Sequence, residues 1–254
     1  MTGNKFRILS TRPLYPPLTT QAAEKGILLE SLAFIETHPI LDERLCTKIT
    51  EIAAQTAIVV FTSMNAVDAV AACLTTAGSK PQAAHTEEQA AGIAKSAFAA
   101  GWRIFCIGSA TRDRVHAHLG EDRIAGTADS ATGLADVIIG HGEIKEVVFF
   151  CGDQRRDELP KKLWDADIRV KEYVVYQTKA TPHTITATYD GLVFFSPSAV
   201  DSFFSANTLP ADTMLFAIGH TTADAIRSYC INPVIVSSST GKDALIRQVI
   251  NHFE

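Results

Sequence analysis

Six short clusters of Ser, Thr and Gly stand directly after apolar runs: Thr62-Ser63, Gly108-Ser109-Ala110-Thr111, residues 130–133, Ser196-Pro197-Ser198, residues 219–222 and residues 237–241. Small hydroxylated residues at a helix start leave backbone N–H groups at its positive end, which is a chemistry suited to anions. The plainer reading of any one such turn is N-capping, worth about 1 kcal/mol to the helix. Six turns of one kind favour binding. Arg12 and the pair Arg155-Arg156 follow two further apolar runs in corresponding loops, where a guanidinium pairs with carboxylates. For Arg156 the simpler reading is a solvated residue at the start of an amphipathic helix. Tyr176 lies on an extended stretch, from which a phenol can donate a proton or a hydrogen bond.

Other chemistries find no support in these residues. No GxGxxG follows a strand, no GxxxxGK[ST] occurs and no GxSxG elbow is present, so dinucleotide, nucleoside triphosphate and serine-hydrolase sites are not expected. His116 and His118 stand two apart on a predicted helix and so point to different faces, which does not make a metal site.

The turns must be positioned by strands and helices, and the chain supplies both in alternation. Apolar runs at 8–10, 58–62, 104–107, 147–151, 192–195, 215–218 and 234–237 are separated by helical stretches. That rhythm predicts parallel sheets covered by helices.

The chain also repeats itself. Phe61-Thr62-Ser63-Met64-Asn65-Ala66-Val67-Asp68 matches Phe194-Phe195-Ser196-Pro197-Ser198-Ala199-Val200-Asp201. Ile104-Phe105-Cys106-Ile107-Gly108-Ser109-Ala110-Thr111 matches Leu215-Phe216-Ala217-Ile218-Gly219-His220-Thr221-Thr222, and Ala131-Thr132-Gly133 matches Ser239-Thr240-Gly241. A fourth unit, residues 8–37, lies over residues 149–178 without a gap, yet it opens the first set and closes the second. This rotated order predicts a discontinuous α/β domain of residues 1–36 plus 179–254 interrupted by an inserted α/β domain of residues 39–175. Paired linkers are expected at about 33–39 and 173–181, with Pro39 and Pro182 limiting helix continuation. Two similar lobes on a two-strand hinge predict a cleft between them, where ligands bind.

Composition narrows the partners. The 254 residues are 46% hydrophobic and 20% charged, enough apolar material for two compact domains. A net charge of −5 without a basic cluster excludes a nucleic-acid backbone as partner. The apolar runs fall far short of the roughly 20 residues of a membrane-spanning helix, and the start of the chain does not read as a secretory leader. Five singly scattered cysteines (Cys46, Cys73, Cys106, Cys151 and Cys230) predict free thiols rather than a disulfide framework or zinc site, and with them a cytoplasmic location.

Taken together, Ile8-Leu9-Ser10-Thr11-Arg12-Pro13, Phe61-Thr62-Ser63 with Ala66-Val67, the stretch Phe150 to Pro160, Val175-Tyr176-Gln177-Thr178, Phe195-Ser196-Pro197-Ser198-Ala199-Val200 and Ala217-Ile218-Gly219-His220-Thr221-Thr222-Ala223 resemble the uroporphyrinogen-III synthase family from end to end. The resemblance implies cyclisation of the linear tetrapyrrole hydroxymethylbilane, with loss of water and inversion of the last ring, and it implies no metal or organic cofactor. It marks Tyr176 as the catalytic proton donor to the departing hydroxyl. Thr62, Ser63, Thr111, Ser196, Thr221 and Thr222 match positions lining the family's cleft. Arg12, Asn65, Ser109, Gly152 and Ser198, at the same set of loops, complete the candidate substrate-binding set. Two departures stand out: Met64-Asn65 replaces a common Pro-Arg, leaving backbone amides rather than an arginine clamp at Asn65, and His220 replaces a proline. A monomer is expected, and the resemblance leaves room for transient contact with hydroxymethylbilane synthase. The competing reading is a non-catalytic two-lobed protein that binds an anionic metabolite or a tetrapyrrole.

Overall fold

A computed structural model describes all residues except 1–4, 79–99 and 240. The chain divides into two compact units, Met1–Glu36 with Lys179–Glu254, and Thr37–Thr178. Eleven strands and nine helices are found among the described residues.

The first unit contains β1 (Phe6–Ser10), α1 (Pro16–Glu24) and β2 (Ile27–Ser31) from the start of the chain. From its later part come β9 (Gly191–Phe194), α7 (Pro197–Phe204), β10 (Met214–Ala217), α8 (His220–Arg227), β11 (Val234–Val236) and α9 (Lys242–Phe253). Its sheet runs β11-β10-β9-β1-β2, with every pair parallel. The second sheet is built from β3 (Ile35–Pro39), β4 (Ala57–Phe61), β5 (Trp102–Ile107), β6 (Ile124–Ala128), β7 (Glu146–Gly152) and β8 (Arg169–Ala180), in the order β3-β8-β7-β4-β5-β6. Its helices are α2 (Glu43–Ala53), α3 (Met64–Gly78), α4 (Gly108–Leu119), α5 (Ala131–Gly140) and α6 (Glu158–Asp165). Set side by side, β11-β10-β9-β1-β2 corresponds to β6-β5-β4-β7-β8. The strand that opens the first unit occupies the place of the penultimate strand of the second, which is the rotated repeat expressed as sheet order.

Both sheets are covered on both faces, and this follows from the uninterrupted apolar strands. In β4, alternate residues of Ala-Ile-Val-Val-Phe point to opposite layers. Val59 and Phe61 join Ile104, Cys106, Val148 and Phe150 beneath α2, α3 and α4, while Val60 joins Phe105, Val147 and Phe149 beneath α5 and α6. The first unit divides likewise. Ile8, Val193 and Phe216 pack with Leu245 and Val249 of α9, and Leu9, Leu192, Phe194 and Leu215 pack with Val200 and Ile226. Gly126 permits a close approach in the second sheet, since a Cβ there would stand 2.8 Å from Val137 Cγ1 and 2.9 Å from Phe105 Cδ1.

One expectation is corrected. Cys46 of α2 and Cys73 of α3 are joined as a disulfide across 27 residues of sequence, with their Cα atoms 4.9 Å apart. Spacing along the chain does not register a pair that helix packing brings together. Cys106, Cys151 and Cys230 are free, the first two buried. No helix among the described residues is long and apolar enough to cross a membrane.

Candidate active site

The site residues expected from sequence fall at the carboxyl ends of the parallel strands, where open α/β sheets hold their ligands. In the second unit, Thr62 and Ser63 link β4 to α3, Asn65 lies in the first turn of α3, Gly152 ends β7 and Tyr176 lies on β8. Tyr176 lines a cavity of about 210 Å³ with Thr37, Pro39, Asn65, Asp68 and Ala69. The buried Oδ1 of Asp68 faces His118 Nε2 at 3.3 Å and Arg114 Nε at 3.6 Å.

Residues at the end of β7 hold Tyr176 in place. The backbone N–H of Asp153 donates to the Tyr176 carbonyl at 3.1 Å, and Asp153 Oδ1 accepts from Thr178 N at 2.9 Å. The register of β7 on β8 slips between Cys151 and Gly152, so Gly152 is paired with Tyr176. Burial pushes the Tyr176 phenol above its ordinary range, the neighbouring Ser63 hydroxyl opposes the rise, and negative charge at Cys151 and Asp153 adds to it. A phenol so placed is protonated at neutral pH.

The helix starts divide into two kinds. Ser196 Oγ caps α7 by accepting from Ala199 N at 3.2 Å, Ser130 Oγ caps α5 from Gly133 N at 3.0 Å, and Ser63 Oγ accepts from Asn65 N at 3.2 Å. There the plain capping reading holds for the side chain. The starts of α4, α8 and α9, at Ile107, Gly219 and Gly241, carry no side-chain cap among the described residues. Their unpaired N–H groups are the anion-binding kind. Ser109 and Thr221 are exposed beside two of them, and Ser198 is half-buried in the first turn of α7. Thr111 and Thr222, by contrast, are 6% and 1% exposed. Helical spacing turns these two inward, so neither presents its hydroxyl to solvent. Thr240 lies outside the described residues.

Arg12 follows β1 in the first unit, on a loop fastened by Ser10 Oγ donating to the Arg12 carbonyl at 2.6 Å. Its side chain is open to solvent, yet crowding lowers its pKa by desolvation. Lys242, at the start of α9, is lowered by burial and then by the like charge of Arg12. Lys242, which feels the charge of Arg12 beside an uncapped helix start, was not among the candidates read from sequence. Gly241-Lys242 after the Ser-rich turn is the signal that was there to be read. Arg155 is otherwise engaged, in ion pairs with Glu172 and Asp157. Arg156 stands 3.8 Å from Glu158 at the start of α6, which is the solvated role expected of it.

A larger cavity of about 320 Å³ lies at the amino ends of β4, β7 and β8. Its two lysines are spent on neighbours, Lys48 on Glu51 at 2.9 Å and Lys171 on Glu146 at 2.7 Å. No group of three metal-ligating side chains occurs among the described residues.

Two α/β units, one nested in the chain of the other, with helix starts and a tyrosine at their strand ends, define a class of two-domain α/β proteins. Solved structures of the same fold include a selenomethionine mutant of uroporphyrinogen III synthase from the extreme thermophile Thermus thermophilus, with a TM-score of 0.62, 13% identity and 98% of each chain covered. Another is uroporphyrinogen-III synthetase from Helicobacter pylori, with a TM-score of 0.61, 16% identity, and 97% of this chain and 99% of that one covered. No curated protein sequence matches. The family profile described as uroporphyrinogen-III synthase HemD matches residues 17–247, and the chain belongs to that family. Its activity is that of a cyclising lyase of haem biosynthesis.

Proposed function

We propose that the reaction runs on hydroxymethylbilane with Tyr176 as the acid. The pyrrole nitrogen lone pair expels the terminal hydroxyl, the Tyr176 phenol gives its proton to the departing oxygen, and water leaves. The cationic methylene carbon so formed is attacked by the substituted carbon of the last ring. The original bond from that spiro carbon to the methylene bridge of the neighbouring ring then breaks, the released methylene is attacked by the free α-carbon of the last ring, and loss of the proton from that carbon, returned to the phenolate, gives uroporphyrinogen III with the last ring inverted. Because the substrate drives its own ionisation, the protein's tasks are to hold carboxylates, supply a proton and keep the reacting carbons together.

Thr62, Asn65, Ser109, Ser198 and Thr221 serve the first task with the backbone amides of their turns. Arg12 and Lys242 add charge in the first unit. The observation that carries the acid assignment is the Tyr176 phenol itself, which lines a cavity at the strand ends and is kept protonated by burial. A monomeric, cytoplasmic protein that meets hydroxymethylbilane synthase transiently goes with this reading. Sedimentation with and without that enzyme tests the association.

The assay generates hydroxymethylbilane in situ, adds the purified protein without cofactor or metal, oxidises the product and separates uroporphyrin isomers. Isomer III in place of the spontaneous isomer I is the expected result. Unchanged isomer I, with the linear tetrapyrrole still bound, favours the non-catalytic binding protein instead.

A further inference from the structure

A residue with no side chain, Gly152, lies against the Tyr176 ring. Gly152 is the last residue of β7, and the register slip after Cys151 sets it opposite Tyr176. A Cβ on Gly152 would stand 2.7 Å from both Cε2 and Oη of Tyr176 and closer still to Cζ. Real Cβ atoms do not approach so near, so the phenol, including its reactive oxygen, rests against the bare backbone of Gly152. The same glycine is buried, and the next residue, Asp153, ties its N–H to the Tyr176 carbonyl at 3.1 Å. Tyr176 is thus held through its backbone and through one side of its ring.

From this geometry we infer that Gly152 is a positioning residue for Tyr176, acting through the placement of the phenol oxygen and not through contact with substrate. The inference rests on the reading of Tyr176 as proton donor. It also reassigns Gly152 from the substrate-binding set to the support of the acid. Relieving the overlap by moving Oη from 2.7 Å to ordinary van der Waals contact displaces it by at least 0.7 Å. Misplacement by about 1 Å costs on the order of 10²-fold in rate where catalysis depends on alignment. Gly152→Ala is therefore expected to lower kcat by roughly 10- to 100-fold and to leave KM near its original value.

The test is a double-mutant cycle of Gly152→Ala with Tyr176→Phe, read as kcat and KM for isomer III formation. It is accompanied by an ultraviolet titration of each phenol-bearing protein against its Tyr176→Phe counterpart. Action through the phenol predicts that Gly152→Ala adds no further loss of rate once the hydroxyl is gone, and that the titration of Tyr176 moves in Gly152→Ala. Equal losses in both backgrounds, or an effect confined to KM, overturn the inference and return Gly152 to substrate contact. A Gly152→Ala protein with unchanged kcat and unchanged titration overturns it as well. If Tyr176→Phe turns over like the original protein, the acid assignment falls, and the titration alone then decides whether Gly152 places the phenol. Should Gly152→Ala fail to fold, its combination with Tyr176→Ala takes its place: recovered folding with the ring removed is the expected result, because the overlap is with the ring, and continued failure to fold overturns the inference.

Discussion

Reduction of the Cys46–Cys73 disulfide is expected to destabilise the second unit by a calculable amount. The bond joins α2 to α3 across 27 residues. Closing a loop of that length removes about 3.5 kcal/mol of chain entropy from the unfolded state, provided the folded geometry is undisturbed. With a urea dependence of roughly 2 kcal/mol per molar for a unit of this size, the unfolding midpoint should fall by about 1.5–2 M on reduction. Cys73 is fully buried and Cys46 half-buried, so a small phosphine reaches the bond through the Cys46 side. The assay compares urea unfolding of oxidised and reduced protein by circular dichroism. Alkylation under non-reducing conditions, followed by peptide mass analysis, establishes that the two cysteines were joined. Identical midpoints for protein whose cysteines are demonstrably joined and demonstrably reduced would refute the loop-closure argument. Full alkylation of Cys46 and Cys73 in oxidised protein would refute the pairing itself.

Tyr176→Phe should lower kcat for isomer III on the order of 10²-fold with little change in urea midpoint, as a lost general acid does; a shifted midpoint with full turnover would make the tyrosine a packing residue. Burial pushes the Cys106 and Cys151 thiols up to about 11. Since the folded chain holds these protons more tightly than an unfolded thiol at about 8.5, stability is intact below that pH and should decline as pH rises toward 11; Cys151→Ser should flatten the decline measured by denaturation across that window. Ser196→Ala removes the α7 cap and should cost about 1 kcal/mol of stability with KM unchanged, whereas a raised KM with unchanged stability would show direct contact with substrate. Arg12→Gln and Lys242→Gln should each raise KM several-fold and weaken its dependence on ionic strength while sparing kcat, and a KM that salt does not move would remove the pair from carboxylate binding.

Much of this architecture is written in the chain because it depends on local pattern. A buried parallel strand is a short apolar run, a helix start is a small polar residue behind it, and both can be recognised without knowing what they pack against. Residues 8–37 and 149–178 hold corresponding places in the two sheets, since each repeated unit folds the same way wherever it stands in the sequence. Four strands, β2, β3, β6 and β8, were not among the expected runs; in β6, Ile-Ala-Gly-Thr-Ala is too small and too polar to announce itself, and it is held at the sheet edge by pairing with β5. Tertiary structure alone decided the rest. It joined Cys46 to Cys73, engaged Arg155 with Glu172, set Lys242 near Arg12, turned Thr111 and Thr222 inward, and slipped β7 on β8 so that Gly152 lies under Tyr176. Most of these depend on residues far apart in the chain, brought together by packing and register. The inward turn of the two threonines depends on which face of a helix the sheet covers. Neither kind of information is carried by spacing along one segment, which is why Gly152 could be placed from sequence in a loop of the candidate set while its position beneath Tyr176 could not be read.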